Sequence, residues 1–460
     1  MNEKIVIIGG GPGGYVAAIR LSKLGFKTLL IEKEKIGGVC LNKGCIPTKA
    51  LYKSAEVLNT TKKLESYGID FTGDTALNVE KTQSRKNQIV DTLVSGIEQL
   101  LRASSVEIIY GQAELIDNYS LSVNGEVIAF DNLIIASGST SFIPPIKGVE
   151  NKGVITSTEL LNFDKVPESL VIVGGGVIGM EFAGIFNSFG TKVTVLEALP
   201  TILPAMDGEL VKRMKPILKK KGIEVMTSVM VNEIAEEDGL LKVKMTGKQG
   251  EIEVMGENVL ISTGRKANVL GLGLEHTDIV LERKGIKVDE HFMTNVSGIY
   301  AIGDVNGIWQ LAHAASAQGE YVAELIAGED KGMGKFIPGC VFMFPEMASV
   351  GYTEEQLKEQ GIPYKVSKSL FGGNAKAQTM GEGEGIIKVI SDEDYKIVGV
   401  HIMGPHASDL IHEGLLACEK GMTVDDLKTV IHAHPTLSEN FYESVMGLKG
   451  EAIHMIQLRR

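Results

Sequence analysis

Residues 4–32 read KIVIIGGGPGGYVAAIRLSKLGFKTLLIE. The apolar run from Lys4 to Ile8 suits a buried parallel strand, and Gly9, Gly11 and Gly14 follow it at the G-x-G-x-x-G spacing. A helical segment to about Leu24 and a second strand from Thr28 to Glu32 complete a β-α-β unit. The first glycines permit a tight turn and close backbone approach to a pyrophosphate, while the helix start offers free N–H groups and a positive dipole end. Glu32, eighteen residues after Gly14, is placed to accept hydrogen bonds from ribose hydroxyls.

This unit occurs twice. Gly174, Gly176, Gly179, Gly190, Lys192 and Glu197 repeat Gly9, Gly11, Gly14, Gly25, Lys27 and Glu32 at a constant offset of 165, and Leu170 to Val173 repeats the apolar run Ile5 to Ile8. One glycine loop arises easily by chance, whereas two in register, each with its acidic residue, imply two dinucleotide sites.

Directly after the first unit, residues 37–49 read GGVCLNKGCIPTK. Cys40 and Cys45 stand five positions apart, which on an undistorted helix separates their Cα atoms by roughly 8.6 Å, beyond the reach of a disulfide. A bridge therefore needs an irregular turn, for which Gly44 offers the backbone freedom, and such a bridge is easily reduced. A working disulfide and two unpaired buried thiols both fit the spacing.

The chain has 460 residues, enough for roughly three domains. Its net charge of −12 argues against sequence-independent nucleic-acid binding, and the short run Lys219-Lys220-Lys221 reads as a solvated helix face. Four cysteines in a chain this long do not make a stapled secreted framework, so a reducing cytoplasm fits best. The two apolar windows, near the N-terminus and at 169–189, are interrupted by glycines, Pro12 and Glu181, and neither reads as a signal peptide or a membrane span.

Residues 79–103 read as a long helix, and Leu133 to Ala136, Leu260 to Arg265 and Ile299 to Asp304 as strands that run into turns. From Lys335 the pattern changes. Val341 to Tyr352, Gly385 to Ile390 and Ile397 to Met403 read as strands, Ala407 to Lys420 as a helix, and Cys340 and Cys418 as core residues. Near the end, residues 432–439 read HAHPTLSE, where histidine is the residue type for a base near neutrality. Thr436 to Glu439 also fits a helix capping box.

The cysteine run and the histidine octet together resemble the flavin-dependent disulfide reductases, the class I pyridine nucleotide-disulfide oxidoreductase family that includes the dihydrolipoamide dehydrogenases and glutathione reductases. The resemblance is closest to the dihydrolipoamide dehydrogenase branch and spans essentially the whole chain. It implies an α/β fold of two Rossmann-like dinucleotide-binding domains plus a C-terminal α+β dimerisation domain. The expected boundaries are 1–145 and 269–334 for a discontinuous FAD-binding part, 146–268 for the NAD-binding domain and 335–460 for dimerisation.

The resemblance further implies a homodimer, with no metal, that oxidises dihydrolipoyl groups through FAD and a Cys40–Cys45 redox disulfide. FAD falls to the first unit because the cysteines adjoin it and a flavin passes electrons between thiols and a nicotinamide. NAD falls to the second, where Glu197 is followed by Ala198, Leu199 and Pro200 with no arginine for a 2′-phosphate. By the same resemblance His434 is the acid–base residue and Glu439 its orienting partner, acting on the other subunit's disulfide, while Lys49 and Glu181 form an ion pair beside the flavin. Ser137, Gly138 and Ser139, with Gly264, match segments that contact the two ligands, and Asp304, Ala312 and His313 match a second FAD contact and the helix under the flavin ring. Lys49 also reads as a solvent lysine, His313 as a capping or packing residue and His432 as structural.

Three positions depart from the family pattern: Ala267 in place of a proline, Gln318 in place of a frequent glutamate, and no histidine before Phe344-Pro345-Glu346. A glutathione-type reductase would want an arginine near Glu197, and a mercuric reductase a terminal cysteine pair where residues 453–460 read IHMIQLRR. A non-catalytic subunit of a multienzyme complex is the remaining alternative. The expected partner is a lipoyl-bearing protein of a 2-oxo acid dehydrogenase, acetoin or glycine-cleavage system.

Overall fold

The computed structural model describes residues 3–248 and 250–455. Residues 456–460, which end the IHMIQLRR octet and the expected dimerisation domain, lie outside them. The chain forms two compact units, Met1–Pro144 with Ile155–Lys165 and Ile261–Met333, and Pro145–Val154 with Val166–Leu260 and Gly334–Arg460.

The first unit is built on a parallel sheet in the order Ile299–Ala301, Asn132–Ile135, β1 (Lys4–Ile8), β2 (Lys27–Glu32) and β3 (Glu107–Tyr110). Ile5, Val6 and Ile7 are wholly buried because both faces of the sheet are covered, the face of Ile5 and Ile7 by helices and the face of Val6 by the antiparallel strands Ala113–Leu115, Ser120–Val123 and Glu126–Ala129. On one face lie α1 (Pro12–Lys23) and the helix Ala312–Ile326, whose Ala17, Ala18, Val322 and Ala323 share a core with Ile5 and Ile7. The helices α2 (Gly38–Lys43) and α3 (Cys45–Thr61) follow β2, and α4 (Val79–Ala103) occupies the range read from the sequence, its start capped by Asn78 on the Lys81 N–H.

In the second unit the parallel order is Glu224–Thr227, Lys192–Glu197 and Ser169–Val173, the last leading into the helix Val177–Phe189. The pairing Lys4↔Lys27 recurs as Ser169↔Lys192, so the offset of the sequence repeat is also an offset of register. The C-terminal segment forms an antiparallel sheet in the order Gly339–Val341, Glu346–Gly351, Ile397–Gly404, Ile386–Ser391 and Lys365–Leu370. The single strand expected over 341–352 is in fact two, because Phe342 to Pro345 form a turn and Cys340 pairs back onto Ala348.

One face of this sheet is apolar and packs against the helices Ala407–Lys420 and Glu439–Gly447 through Ile387, Val389, Val400, Ile402 and Phe441, with Cys418 buried among them. The other face carries a buried polar row, Ser349, His401 and Lys388, cross-strand partners in register, with the exposed Lys368 paired next to Lys388 at its end. The Lys388 ammonium, 1% exposed, contacts Asp207 at 2.8 Å and Glu354 at 2.6 Å. Asp207 also caps the helix Gly208–Lys220 by accepting the Glu209 N–H. With Glu209 at 3.7 Å, three carboxylates surround one lysine, which is what makes so deep a burial of charge tolerable. No helix among the described residues is long and apolar enough to cross a membrane.

Candidate active site

The two glycine cradles are alike in detail. Gly9 and Gly174, at φ +102° and +112°, each donate an N–H at 2.8 Å to the strand that follows, to Ile31 O and Leu196 O. A Cβ on Gly14 would lie 1.8 Å from Gly9 O, so the helix start can approach the strand end only without a side chain there. Over Gly11 and Gly176 the space is open, with no atom nearer than 4.0 Å to where a Cβ would stand at the first and none within 4 Å at the second. The open floor above each helix start, with N–H groups beneath it, fits a diphosphate.

Glu32 and Glu197, 7% and 8% exposed, are aimed by backbone. Glu32 accepts the Gly10 N–H and the Glu34 N–H, both at 2.7 Å; Glu197 accepts those of Gly175 at 2.6 Å and Leu199 at 2.7 Å. Each oxygen keeps a lone pair for a ribose hydroxyl. The sequence marks these glutamates as ribose partners but conceals that they also brace their own cradles.

From the first cradle the chain returns at Gly37, whose N–H binds Gly10 O at 2.8 Å, and enters α2. Gly44 interrupts the helix between α2 and α3, supplying the irregular turn that the cysteine spacing requires. The motif residues around it hold that break: Asn42 donates to Ile36 O and Gly38 O, and the Thr48 hydroxyl to Gly44 O at 2.6 Å. Cys40, half-buried, and Cys45, exposed, are both thiols. The hydrogen bond with Cys45, and then burial, push the Cys40 thiol up from its ordinary value, while the Lys49 ammonium pulls it the other way.

Ser137, Gly138 and Ser139 are clamped by the segment after Gly264. Ser139–Ser141 pairs antiparallel with Arg265–Ala267, and Ser137 and Asn268 exchange hydrogen bonds. Asp304 accepts the Ser139 hydroxyl, and Arg265 donates to Ser139 Oγ and to Ser139 O, both at 2.7 Å. Arg265 was not among the residues expected at this site; its place directly after Gly264, at the end of the strand read from Leu260, was the available signal. Ala312 opens its helix, and His313 is exposed on the first turn.

In the second unit Glu181 is 4% exposed and accepts the Phe342 N–H at 3.1 Å. His434, its side chain 71% exposed, precedes a cis peptide bond to Pro435 and places Nδ1 2.9 Å from Glu439 Oε1. Glu439 Oε2 accepts the Thr436 N–H at 2.8 Å. The glutamate thus meets a backbone donor and the histidine, one with each oxygen, but no capping box forms: the helix starts at Glu439 with Ser438 before it, and the Thr436 hydroxyl donates to Ala433 O instead. Burial works to raise the Glu439 carboxyl, but the Thr436 N–H, His434 and His454 outweigh it and hold it below its ordinary value. Two further histidine–glutamate pairs stand nearby in the chain, His432 with Glu413 at 2.7 Å and His454 with Glu443 at 3.0 Å. Among the described residues no group of His, Cys, Asp and Glu could hold a metal ion.

Residues 3–319 match the pyridine nucleotide-disulphide oxidoreductase family model, and 337–445 match the dimerisation domain of the same family. The chain is 42% identical to dihydrolipoyl dehydrogenase of Bacillus subtilis over 469 aligned residues, 98% of each chain, and 41% identical to that of Geobacillus stearothermophilus over 99% of this chain and 98% of the relative. Among solved structures, LpdA from Mycobacterium tuberculosis superposes with a TM-score of 0.90 at 25% identity, covering 97% of this chain and 99% of that one. The HOCl-induced flavoprotein disulfide reductase RclA from Escherichia coli gives 0.87 at 30% identity, covering 96% and 99%. With two open diphosphate cradles, a thiol pair after the first of them and near-complete coverage by these relatives, the chain belongs to the pyridine nucleotide-disulphide oxidoreductase family as an FAD- and NAD-dependent enzyme, and within that family to the dihydrolipoamide dehydrogenases.

Proposed function

We propose that the enzyme oxidises dihydrolipoyl groups carried on a lipoyl protein, reducing NAD, and that Cys40, Cys45, His434 and Glu439 do the chemistry. The observation that carries this reading is the His434–Glu439 pair at 2.9 Å, because a dithiol substrate needs a base and a flavin oxidoreductase without thiol substrates does not.

His434 takes the proton of one substrate thiol, and the thiolate attacks Cys40 of the oxidised Cys40–Cys45 pair, expelling Cys45 as thiolate. The second substrate thiol then attacks the substrate sulfur bonded to Cys40, closing the lipoyl ring and releasing Cys40. Glu439 fixes the histidine tautomer, with Nδ1 toward the carboxylate, and stabilises the imidazolium once the proton is held. FAD, when bound in the first cradle, supplies the electron carrier between the thiol pair and NAD. Gly9, Gly11, Gly14, Glu32, Ser137, Gly138, Ser139, Asp304, Ala312 and His313 are proposed to hold FAD, with Lys49 and Glu181 on the flavin side. Gly174, Gly176, Gly179, Glu197 and Gly264 are proposed to hold NAD.

The proposed catalytic unit is a homodimer in which each His434 serves the other subunit's disulfide. The three-module boundaries read from the sequence, at 145, 268 and 334, belong to the same proposal, as does work inside the cytoplasm.

The test is reduction of NAD by dihydrolipoamide with purified, flavin-loaded protein, beside NADP. NAD should be reduced at least tenfold faster, since Glu197 repels a 2′-phosphate. Failure to reduce either coenzyme would overturn the assignment. Replacing His434 by Gln should cut dihydrolipoamide turnover by about 10²–10⁴ while NADH-driven dye reduction persists; equal losses in both assays would remove His434 from the role of base.

A further inference from the structure

The segment that delivers His434 is held by very little. From Lys428 to Pro435 every residue is exposed except His432, which turns inward with a side chain 9% exposed. Its ring is held on three sides. Nε2 lies 2.7 Å from Glu413 Oε1 on the helix Ala407–Lys420, Nδ1 lies 3.2 Å from Val430 O, and the ring centroid is 5.1 Å from that of Tyr442 on the helix Glu439–Gly447. A carbonyl only accepts, so Nδ1 carries hydrogen and one further proton is shared between Nε2 and Glu413. Burial pushes the Glu413 carboxyl up from its ordinary value, against the pull of His432.

We infer that His432 and Glu413 form a positioning pair for the base, an inference that rests on His434 being that base. Ile431 is 96% exposed and Val430 42%, so within the subunit neither flanking side chain anchors the loop. On its other side the loop is closed by the Thr436 hydroxyl on Ala433 O at 2.8 Å and by Glu439 on the Thr436 N–H. His434 therefore stands between two fixings, Glu439 downstream and His432 upstream. Loss of the upstream one leaves the Glu439 hydrogen bond possible but frees the backbone that sets where the ring stands. A reacting group displaced by an ångström costs far more in turnover than in folding. The planar ring of His432 matters because it meets Glu413 and Val430 O from opposite nitrogens while packing at a 48° tilt against Tyr442, a combination that a flexible side chain reproduces only in part.

The experiment compares His432→Phe, His432→Gln and Glu413→Gln with His434→Gln in the flavin-loaded enzyme, by dihydrolipoamide–NAD turnover and by NADH-driven dye reduction, which needs no base. His432→Phe keeps the ring on Tyr442 but loses both polar contacts, and dihydrolipoamide turnover should fall roughly 10- to 100-fold with dye reduction within about twofold of the parent. His432→Gln retains a donor toward Glu413 and should recover part of that loss, which keeps the comparison open should the Phe variant fold poorly. Glu413→Gln should fall with His432→Phe. Equal losses in both assays, or no loss in dihydrolipoamide turnover, overturn the positioning role while a selective loss in His434→Gln leaves the base in place. No selective loss in His434→Gln overturns the base assignment itself, and the positioning role with it.

Discussion

The two nucleotide cradles differ less in themselves than in what the chain does on leaving them. Glu32 and Glu197 are each held by two backbone N–H groups at matching distances, and both strand pairs keep the same register. After Glu32 the chain returns to Gly10 O through Gly37 and delivers two cysteines. After Glu197 it returns to Gly175 O through Leu203, one residue later than the repeat would place it, and delivers Asp207 to the buried Lys388. The clamp is generic. The return segment makes one copy a redox site and ties the other to the C-terminal sheet.

Replacing Cys45 with Ser breaks the comparison on the first side: it removes what the first return segment adds, and dihydrolipoamide turnover should fall by about 10³ or more while flavin absorbance is retained. Flavin loss instead would show that the cysteine segment builds the cradle rather than decorating it. Lys388→Met breaks it on the second side. The variant leaves Asp207 and Glu354 without their cation and should cost about 3–5 kcal/mol of stability, read as a lower unfolding midpoint in urea.

A subtler comparison is Glu32→Gln against Glu197→Gln. An amide turns a donor toward one of the two N–H groups, which should cost about 1–3 kcal/mol of cofactor affinity in either cradle. The first variant should shed flavin on dilution and the second should raise the KM for NAD; losses of very different size would show that the likeness of the cradles is only geometric.

The smallest expected effect is in pH. Burial holds the His401 imidazole below its ordinary value. Burial would raise Glu354, but Lys388, Tyr364 and Lys358 hold it down at about 2. Both folded values lie below the unfolded ones, so on acidification the unfolded chain takes up protons that the folded chain refuses. Stability should fall as pH drops through about 6.5, where unfolded histidine titrates, and again from the ordinary glutamate value of 4.5 toward 2. Asp207, Glu209 and Glu355 on the facing helices and Lys368 and Lys388 on the sheet complete this charged neighbourhood. Urea midpoints at pH 7.5, 6 and 5 would check the first fall and a midpoint near pH 3 the second, and His401→Phe should flatten the first.

Much of this was legible in residue spacing. The constant offset of 165 carried over into strand register, and the cysteine interval foretold the helix break at Gly44. What the sequence hid were interactions whose partners lie far apart in the chain. Nothing near Lys388 in sequence announces Asp207, 181 residues earlier, and nothing in 264–268 states that Arg265 reaches Ser139, 126 residues earlier. The turn at Phe342 to Pro345 was missed because the strand was read straight through Pro345 and Glu346, although a proline inside a strand pattern is itself a sign that the strand stops or lies at an edge. Glu439 was read as either a cap or a partner because sequence has no way to show that a carboxylate has two ends.

Those two ends have a corollary for enzymology. The same carboxylate ties down the turn ahead of a helix and meets an imidazole, so local fraying at Thr436 and misdirection of His434 are one event rather than two. Heating short of global unfolding should therefore silence thiol oxidation before it touches coenzyme binding, giving the enzyme a thermal ceiling set by a single turn of backbone.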